Sequence, residues 1–413
     1  MGFIQEFQDR GFYHQCTDLE SLASLTNQKQ VVAYIGFDCT ADSLHVGSLM
    51  QIMVLRLLQK HGHQPIAIVG GGTTKIGDPT GKDEARKLLT EDDIAHNKRG
   101  IQSVLEKFIK FGEADSDAML VDNDDWLSKL NFIDFLREYG KHFSINRMLS
   151  FDSVKLRLER EQSLTFLEFN YMIFQAYDFV ELNKRYKCRL QIGGSDQWGN
   201  IINGVELSRR LGSEELFGLT TPLITTSSGA KMGKTASGAV WLSAERLSAY
   251  DYYQFWRNTE DDDVVKFMKL FTDLSLDEIR KLDAEHKDNI NNLKKILAFE
   301  ATKICHGDKL AQEAEETAIS LFEKGEVGGM IPEFFLSAED LGDGMSAFKL
   351  FHIAGLSESG GEAKRLIKGK GAKLNNLVID DENKMVTHAD FVDNALILAA
   401  GKKKYIKIIL SGN

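Results

Sequence analysis

The segment Val31-Val32-Ala33-Tyr34-Ile35-Gly36-Phe37, running directly into Asp38-Cys39-Thr40-Ala41-Asp42-Ser43-Leu44-His45-Val46-Gly47-Ser48, decides how this chain folds. Val31 to Phe37 is a short apolar run of the kind buried on both faces of a parallel sheet. Asp42 or Ser43 is placed to cap a helix whose interior, Leu49 to Leu58, is rich in Leu and Met, and Gly62 is placed to end it. Pro65 to Gly70 reads as the next strand and closes on Gly70-Gly71-Gly72. Strand, helix and strand within about 40 residues form a βαβ unit. The expected class is therefore α/β, a Rossmann-like doubly wound parallel sheet.

Outward from that unit, Arg189-Leu190-Gln191-Ile192 reads as a later strand, again followed by glycines at Gly193-Gly194. Lys87 to Tyr139 reads mostly as helices and acidic loops, which makes about 85–165 a helical insertion in a Rossmann-like domain spanning 1–225. The Gly/Ser-rich stretch 226–245 predicts a loop that stays mobile until a ligand orders it. From 246 to 324 the pattern is helical, with Tyr252, Phe255 and Trp256, then Leu293, Ile296 and Leu297, spaced for one face each. The glycines, acids and Pro332 of 325–345 read as a linker, and 346–413 as a small α+β module.

The 413 residues are 43% hydrophobic and 27% charged, an ordinary globular balance with room for two or three domains. No apolar stretch approaches the roughly 18 residues of a membrane span. Met1 to Glu20 lacks a basic-then-apolar signal pattern, so a cytoplasmic location without membrane contact is expected. Cys16, Cys39, Cys188 and Cys305 show no metal or redox spacing and are expected as free thiols, with Cys39 on the loop between the first strand and helix. The net charge is −11, yet Ser346 to Asn413 holds 11 Lys+Arg against 7 Asp+Glu. A basic tail on an acidic body can focus a polyanion on one end.

A helix N-terminus carries free N–H groups and a partial positive end, so His45 and Gly47 stand where phosphate binds well. Gly47 lets a backbone and a nucleotide approach closely, and His45 can donate to a phosphate oxygen. By itself, His45-Val46-Gly47-Ser48 fits a helix that merely starts with a surface histidine. A second motif, Lys231-Met232-Gly233-Lys234-Thr235, lies between Ser227-Ser228-Gly229 and Ala236-Ser237-Gly238. Its two ammonium groups could settle on a departing pyrophosphate, or form a solvated basic turn.

The two motifs together resemble the signature pair of class I aminoacyl-tRNA synthetases, and the residues between them resemble the bacterial tyrosyl-tRNA synthetases. That resemblance implies activation of L-tyrosine with ATP, then transfer to the 3′ end of tRNA-Tyr. It implies that Thr40 and His45 contact the γ-phosphate, with Lys231 and Lys234 on the pyrophosphate. Lys82 and Arg86, from Gly77-Asp78-Pro79-Thr80-Gly81-Lys82, would add phosphate contacts. Gly36, Asp38 and Gly47 would shape the ATP site, and Gly194 and Asp196 would hold the adenylate ribose. Ser48 departs from the family's usual histidine near that ribose, which predicts tuned nucleotide affinity. Mg²⁺ is expected with ATP, with no dedicated protein cage.

Thr165 to Leu182 reads as one helix, opened by a Thr165/Glu168 capping box. On it Tyr171, Gln175 and Asp178 stand at i, i+4 and i+7 against an apolar background, on one face. Such a row needs partners, from the protein or from a ligand, because unpaired buried polar groups cost free energy. The resemblance assigns Tyr171, Gln175 and Asp78 to the amino acid's ammonium, Gln197 to its carboxylate end, and Asp178 with Tyr34 to the phenolic hydroxyl. A site that bonds a hydroxyl rejects the analogue lacking it, a rule for which the tyrosyl enzymes are themselves the standing illustration.

The tail resembles an RNA-binding fold shared with a ribosomal small-subunit protein, carried on Gly361-Glu362-Ala363-Lys364-Arg365-Leu366-Ile367, Lys373-Leu374-Asn375 and Gly401-Lys402-Lys403-Lys404-Tyr405-Ile406. The resemblance further implies a homodimer joined through about 125–165. A tryptophanyl-type synthetase shares the fold and both motifs, and a non-catalytic RNA-binding paralogue would keep the scaffold. Tyr34 with Asp178 and the tail weigh against the first, and intact His45, Lys231, Lys234 and Asp178 against the second.

Overall fold

A computed structural model describes all residues except 81–88, 230–231, 236–237, 321–330, 393, 402–403 and 412–413. The chain divides into two compact units. The first comprises Met1–Leu247 with Phe255–His306, the second Ser248–Gln254 with Gly307–Asn413.

The first unit is built on six strands, β1 (Gln15–Cys16), β2 (Val32–Asp38), β3 (Gln64–Gly70), β4 (Met119–Asp122), β5 (Cys188–Gly194) and β6 (Phe217–Thr221). Their order is β1-β6-β5-β2-β3-β4. All neighbours are parallel except β1, which pairs antiparallel with β6. The expected parallel sheet thus carries one antiparallel edge, which caps it with two residues. The strand sequence reverses direction between β2 and β5, so the carboxyl ends of these two open a crevice, the usual place for a ligand in such sheets.

Several local readings change. The first crossover helix is Val46–Lys60, and its N-cap is His45 itself, whose Nδ1 accepts from the Gly47 N–H at 2.9 Å. Asp42 and Ser43 do not cap it, because Leu44 to Val46 is tied by backbone bonds to Val240–Leu242. Met119–Asp122, read within the insertion, is a sheet strand beside β3. Its four residues are too short to stand out among the surrounding acids. Thr165 and Glu168 do form the capping box, but the helix breaks at Asn170 into Phe166–Phe169 and Tyr171–Tyr186. The second piece buries Phe179, Val180 and Leu182 completely or nearly so. Each such side chain contributes about 1.5–3 kcal/mol of transfer free energy.

The motif loop after Gly229 includes a short hairpin, β7 (Lys234–Thr235) and β8 (Gly238–Ala239). Helices Val264–Phe271, Leu276–Glu285 and Ile290–His306 follow in the first unit, whereas Ser248–Gln254 and the helix Asp308–Ile319, from the stretch read as one helical domain, belong to the second.

The second unit has strands β9 (Glu333–Ser337), β10 (Met345–Ser346), β11 (Ala372–Leu374), β12 (Leu377–Ile379), β13 (Met385–Val386), β14 (Ala395–Ala400) and β15 (Lys404–Ser411). Five of them form a sheet in the order β12-β11-β14-β15-β9, with β9 parallel to β15. β9 and β10 correct the reading of 325–345 as a linker. Phe334, Leu336, Leu341 and Met345 pack into this unit's core with Leu350, Phe351, Leu398 and Ile408. Their apolar spacing is masked in sequence by the acids and glycines between them.

Candidate active site

The crevice between β2 and β5 holds a cleft of about 500 Å³. Apart from Lys234, each described residue predicted for the site lines it. Tyr34, Gly36, Asp38 and Thr40 come from β2 and its exit; His45, Gly47 and Ser48 from the helix start. Asp78 follows β3, Tyr171, Gln175 and Asp178 come from one helix face, and Gly194, Asp196 and Gln197 from the end of β5. A Cβ at Gly36 would meet nothing within 4 Å, so the missing side chain leaves the cleft open there. Lys82, Arg86 and Lys231 lie outside the described residues, and of Lys234 only the backbone is described, in β7.

One end of the cleft is a buried polar chain. Asp178, 3% exposed, accepts from Trp126 Nε1 at 2.7 Å and Asn123 Nδ2 at 2.9 Å. Asn123 Nδ2 also donates to Thr73 Oγ1 at 3.0 Å, and Thr73 Oγ1 donates to Asp38 Oδ1 at 2.8 Å. Tyr171 Oη closes the chain by donating to Asp38 Oδ2 at 3.0 Å. The Arg185 guanidinium lies 5.2 Å from the Trp126 ring centroid, steadying the donor from behind. Burial chiefly, with the charges of Asp38 and Glu181, raises the Asp178 carboxyl to about 7 against the two hydrogen bonds. Beside it the Tyr34 hydroxyl is buried and has no hydrogen-bond partner among the described residues. Burial and then the Asp178 charge push that hydroxyl well above its ordinary pKa. An orphaned buried hydroxyl next to a carboxylate is a place for a ligand group that both donates and accepts.

Nearer the mouth, Gln197 Nε2 donates to Asp78 Oδ2 at 2.9 Å, and Asn200 Nδ2 steadies Gln197 Oε1 at 3.0 Å. Within the polar row, Tyr171 and Asp178 thus carry protein partners of their own, as the reading in which the protein supplies the partners required in part. Asn123, Trp126 and Thr73 were missed in sequence. Asn123 and Trp126 fall in the run Asp122-Asn123-Asp124-Asp125-Trp126, which resembles a solvated acidic loop.

At the other end, the two motifs meet through the backbone. Val46 N–H donates to Val240 O at 2.8 Å, Leu242 N–H to Leu44 O at 2.9 Å, and Val240 N–H to Gly233 O at 3.1 Å. Gly233 has φ +89°, and a Cβ on it would stand 2.8 Å from the Gly47 nitrogen. Glycine is thus required twice over, by conformation and by the close approach to the helix N-terminus. The accepting Nδ1 leaves the His45 proton on Nε2, the nitrogen that can donate outward. The loop's entry is clamped elsewhere: Ser227 and Ser228 hydroxyls donate to Glu260 at 2.6 and 2.7 Å.

All four cysteines are free thiols. Burial first, then the charges of Asp38 and Asp122, push the Cys39 thiol up to about 12, so it stays protonated and unreactive at neutral pH. Among the described residues no group of three or more His, Cys, Asp or Glu is arranged to hold a metal ion, and no helix is long and apolar enough to cross a membrane.

Comparison with known proteins bears on the same residues. The family of class I tRNA synthetases for tryptophan and tyrosine (W and Y) matches residues 26–323. A tyrosine–tRNA ligase of Rickettsia felis is 57% identical over 409 residues, covering 99% of this chain and 100% of that protein. One from Rickettsia bellii is 58% identical over the same length. A solved C-terminally truncated mitochondrial tyrosyl-tRNA synthetase of Aspergillus nidulans superposes with a TM-score of 0.70 at 30% identity, over 78% of this chain and 94% of its own. A tryptophanyl-tRNA synthetase of Encephalitozoon cuniculi, at 12% identity and a TM-score of 0.55, shares the fold alone. By sequence over its whole length and by the architecture of its cleft, the chain belongs to the class I aminoacyl-tRNA synthetases, among the bacterial tyrosyl-tRNA synthetases.

Proposed function

We infer that this cleft activates L-tyrosine. The chain is a tyrosine–tRNA ligase: it forms tyrosyl-adenylate and pyrophosphate from tyrosine and ATP, then passes tyrosine to tRNA-Tyr. The observation that carries the substrate reading is the orphaned Tyr34 hydroxyl beside the buried Asp178. There a phenol would donate to Asp178 and accept from Tyr34. Tyr171, Gln175 and Asp78 would take the ammonium, and Gln197 the carboxylate end. The carboxylate attacks the α-phosphorus, and no enzyme nucleophile is needed. Catalysis comes from positioning and from stabilising charge on the transferring group.

Thr40 and His45, with Lys82, Arg86, Lys231 and Lys234, are proposed to hold the phosphates, and Gly36, Asp38, Gly47, Ser48, Gly194 and Asp196 to seat the nucleoside. Mg²⁺ would enter with ATP as part of that substrate. ATP–pyrophosphate exchange with tyrosine, phenylalanine and tryptophan tests the reading. Tyr34→Phe is expected to narrow the preference for tyrosine over phenylalanine by about tenfold, the worth of one hydrogen bond to a buried hydroxyl. Unchanged discrimination would remove the pocket from the argument.

The second unit is proposed to bind tRNA. Several of its cations are paired, Lys368 with Glu382 at 3.0 Å and Lys384 with Asp390 at 3.3 Å. Lys349, Arg365, Lys373 and Lys404 have no carboxylate partner among the described residues, which leaves them for phosphates. Deleting 333–413 is expected to spare adenylate formation and to lower charging of tRNA. Full charging by the truncated chain would refute this.

We also propose a homodimer and a cytoplasmic location. Phe132, Ile133, Leu136, Ile145 and Leu158 are exposed apolar residues within the stretch expected to form the interface, a surface that a second copy would cover. Sedimentation at twice the chain mass is the expected result.

A further inference from the structure

We infer that Trp241 is a positioning residue for His45, and that Arg246 and Asp42 hold it in place. The inference rests on the reading of His45 as a phosphate donor.

The geometry closes a loop of contacts. The Trp241 ring meets the His45 ring edge-to-face, with centroids 5.9 Å apart and planes at 72°. The Arg246 guanidinium lies 4.5 Å from the Trp241 centroid and pairs with the Asp42 carboxylate. Asp42 stands three residues before His45 on the same loop, so the contacts return to their origin. The backbones of His45 and Trp241 are themselves bridged as antiparallel partners.

An imidazole that must present one nitrogen to a phosphate needs its ring plane fixed. The Gly47 N–H on Nδ1 fixes one point of the ring. An aromatic partner on the ring restrains its tilt about that point, and such pairs favour the edge-to-face arrangement seen here. A cation over the indole then restrains the indole. Trp241 lies on the exit of the second motif, two residues after β8. It therefore fixes the donor of one motif relative to the stem of the other, and both would act on the same triphosphate. A donor displaced by about 1 Å loses on the order of 10²-fold in rate.

The test compares Trp241→Ala and Trp241→Phe in the wild-type protein and in His45→Ala. It measures single-turnover adenylate formation and, separately, equilibrium binding of tyrosine. Trp241→Ala is expected to slow adenylate formation by about 10- to 100-fold, with tyrosine affinity unchanged. Trp241→Phe is expected to recover most of the rate, because the edge-to-face contact survives. In the His45→Ala protein, Trp241→Ala should add less than about threefold, since the group it positions is gone.

An undiminished loss in the His45→Ala background would overturn the inference, as would a parallel loss of tyrosine binding. A normal rate for His45→Ala alone would sink the phosphate-donor reading itself, and the inference with it. Arg246→Gln changes a half-exposed side chain without opening a cavity. It is expected to slow adenylate formation several-fold, and a wild-type rate would overturn the clamp even if Trp241→Ala failed to fold.

Discussion

Asp178→Asn is expected to lower kcat/KM for tyrosine activation by about 10²- to 10³-fold, with little change in the KM for ATP. The carboxylate accepts from Trp126 Nε1 and Asn123 Nδ2 on its two separate oxygens. An amide in its place must turn a donor toward one of these donors. One buried N–H is then left unpaired, and the charge that would receive the phenol is gone. A lost charge-assisted bond and an orphaned donor together cost about 3–4 kcal/mol, which sets the expected range.

The same residue predicts a pH dependence. With its carboxyl held near 7, chiefly by burial, Asp178 binds a proton as pH falls through 7, and its protonated form is the poorer acceptor for a phenol. KM for tyrosine should therefore rise by up to about tenfold per unit below 7. The Asp178→Asn protein should lose that dependence. Stability runs the other way. A carboxyl whose folded pKa is raised stabilises the fold fully below its unfolded value near 4, and that contribution is lost as pH rises through about 7. Isothermal titration with tyrosine at several pH values would check the binding arm, and a flat wild-type profile would refute it.

The second large effect is expected from Lys234→Ala. Adenylate formation should fall by about 10²- to 10³-fold, the scale on which a charge or donor aimed at a transition state acts, while tyrosine binding stays within twofold. The backbone one residue earlier supplies the reason. Gly233 abuts the nitrogen of Gly47, so the chain at Lys234 leaves from the N-terminus of the His45 helix. A cation carried from that point would add to the helix's own positive end, which would favour the pyrophosphate charge that develops as the bond to the α-phosphorus breaks. Equal losses in tyrosine binding and in adenylate formation would mean that the loop supports the pocket generally and holds no phosphate.

Much of this site was legible before the fold. Tyr171, Gln175 and Asp178 are polar on a helix that is otherwise buried, and local periodicity alone puts them on one face. Gly70-Gly71-Gly72 and Gly193-Gly194 mark strand ends where backbone comes close to other groups. At Gly70 a Cβ would stand 2.4 Å from the Asp38 carboxylate. What escaped were contacts between segments far apart in sequence. Asn123 and Trp126 look like part of an acidic loop until Asp178 is beside them. Trp241 looks like one apolar residue after a basic turn until His45 is beside it. The cap of the helix Val46–Lys60 moved from Asp42 or Ser43 to His45 because pairing with Val240 to Leu242 fixed where the helix could begin.

The order of amino acids determined the βαβ start of the sheet, the helix terminus proposed to face phosphate and the identity of the polar row. These depend on periodicity, capping and composition within a few residues, and such local terms can be read without knowing the rest of the chain. Only the tertiary structure decided which donors hold Asp178, that the buried Tyr34 hydroxyl beside it has no hydrogen-bond partner among the described residues, and which ring meets His45. Each of those depends on a distance between segments 50 to about 200 residues apart, and hydrogen bonds and ring contacts act only when folding has brought such groups within a few ångströms.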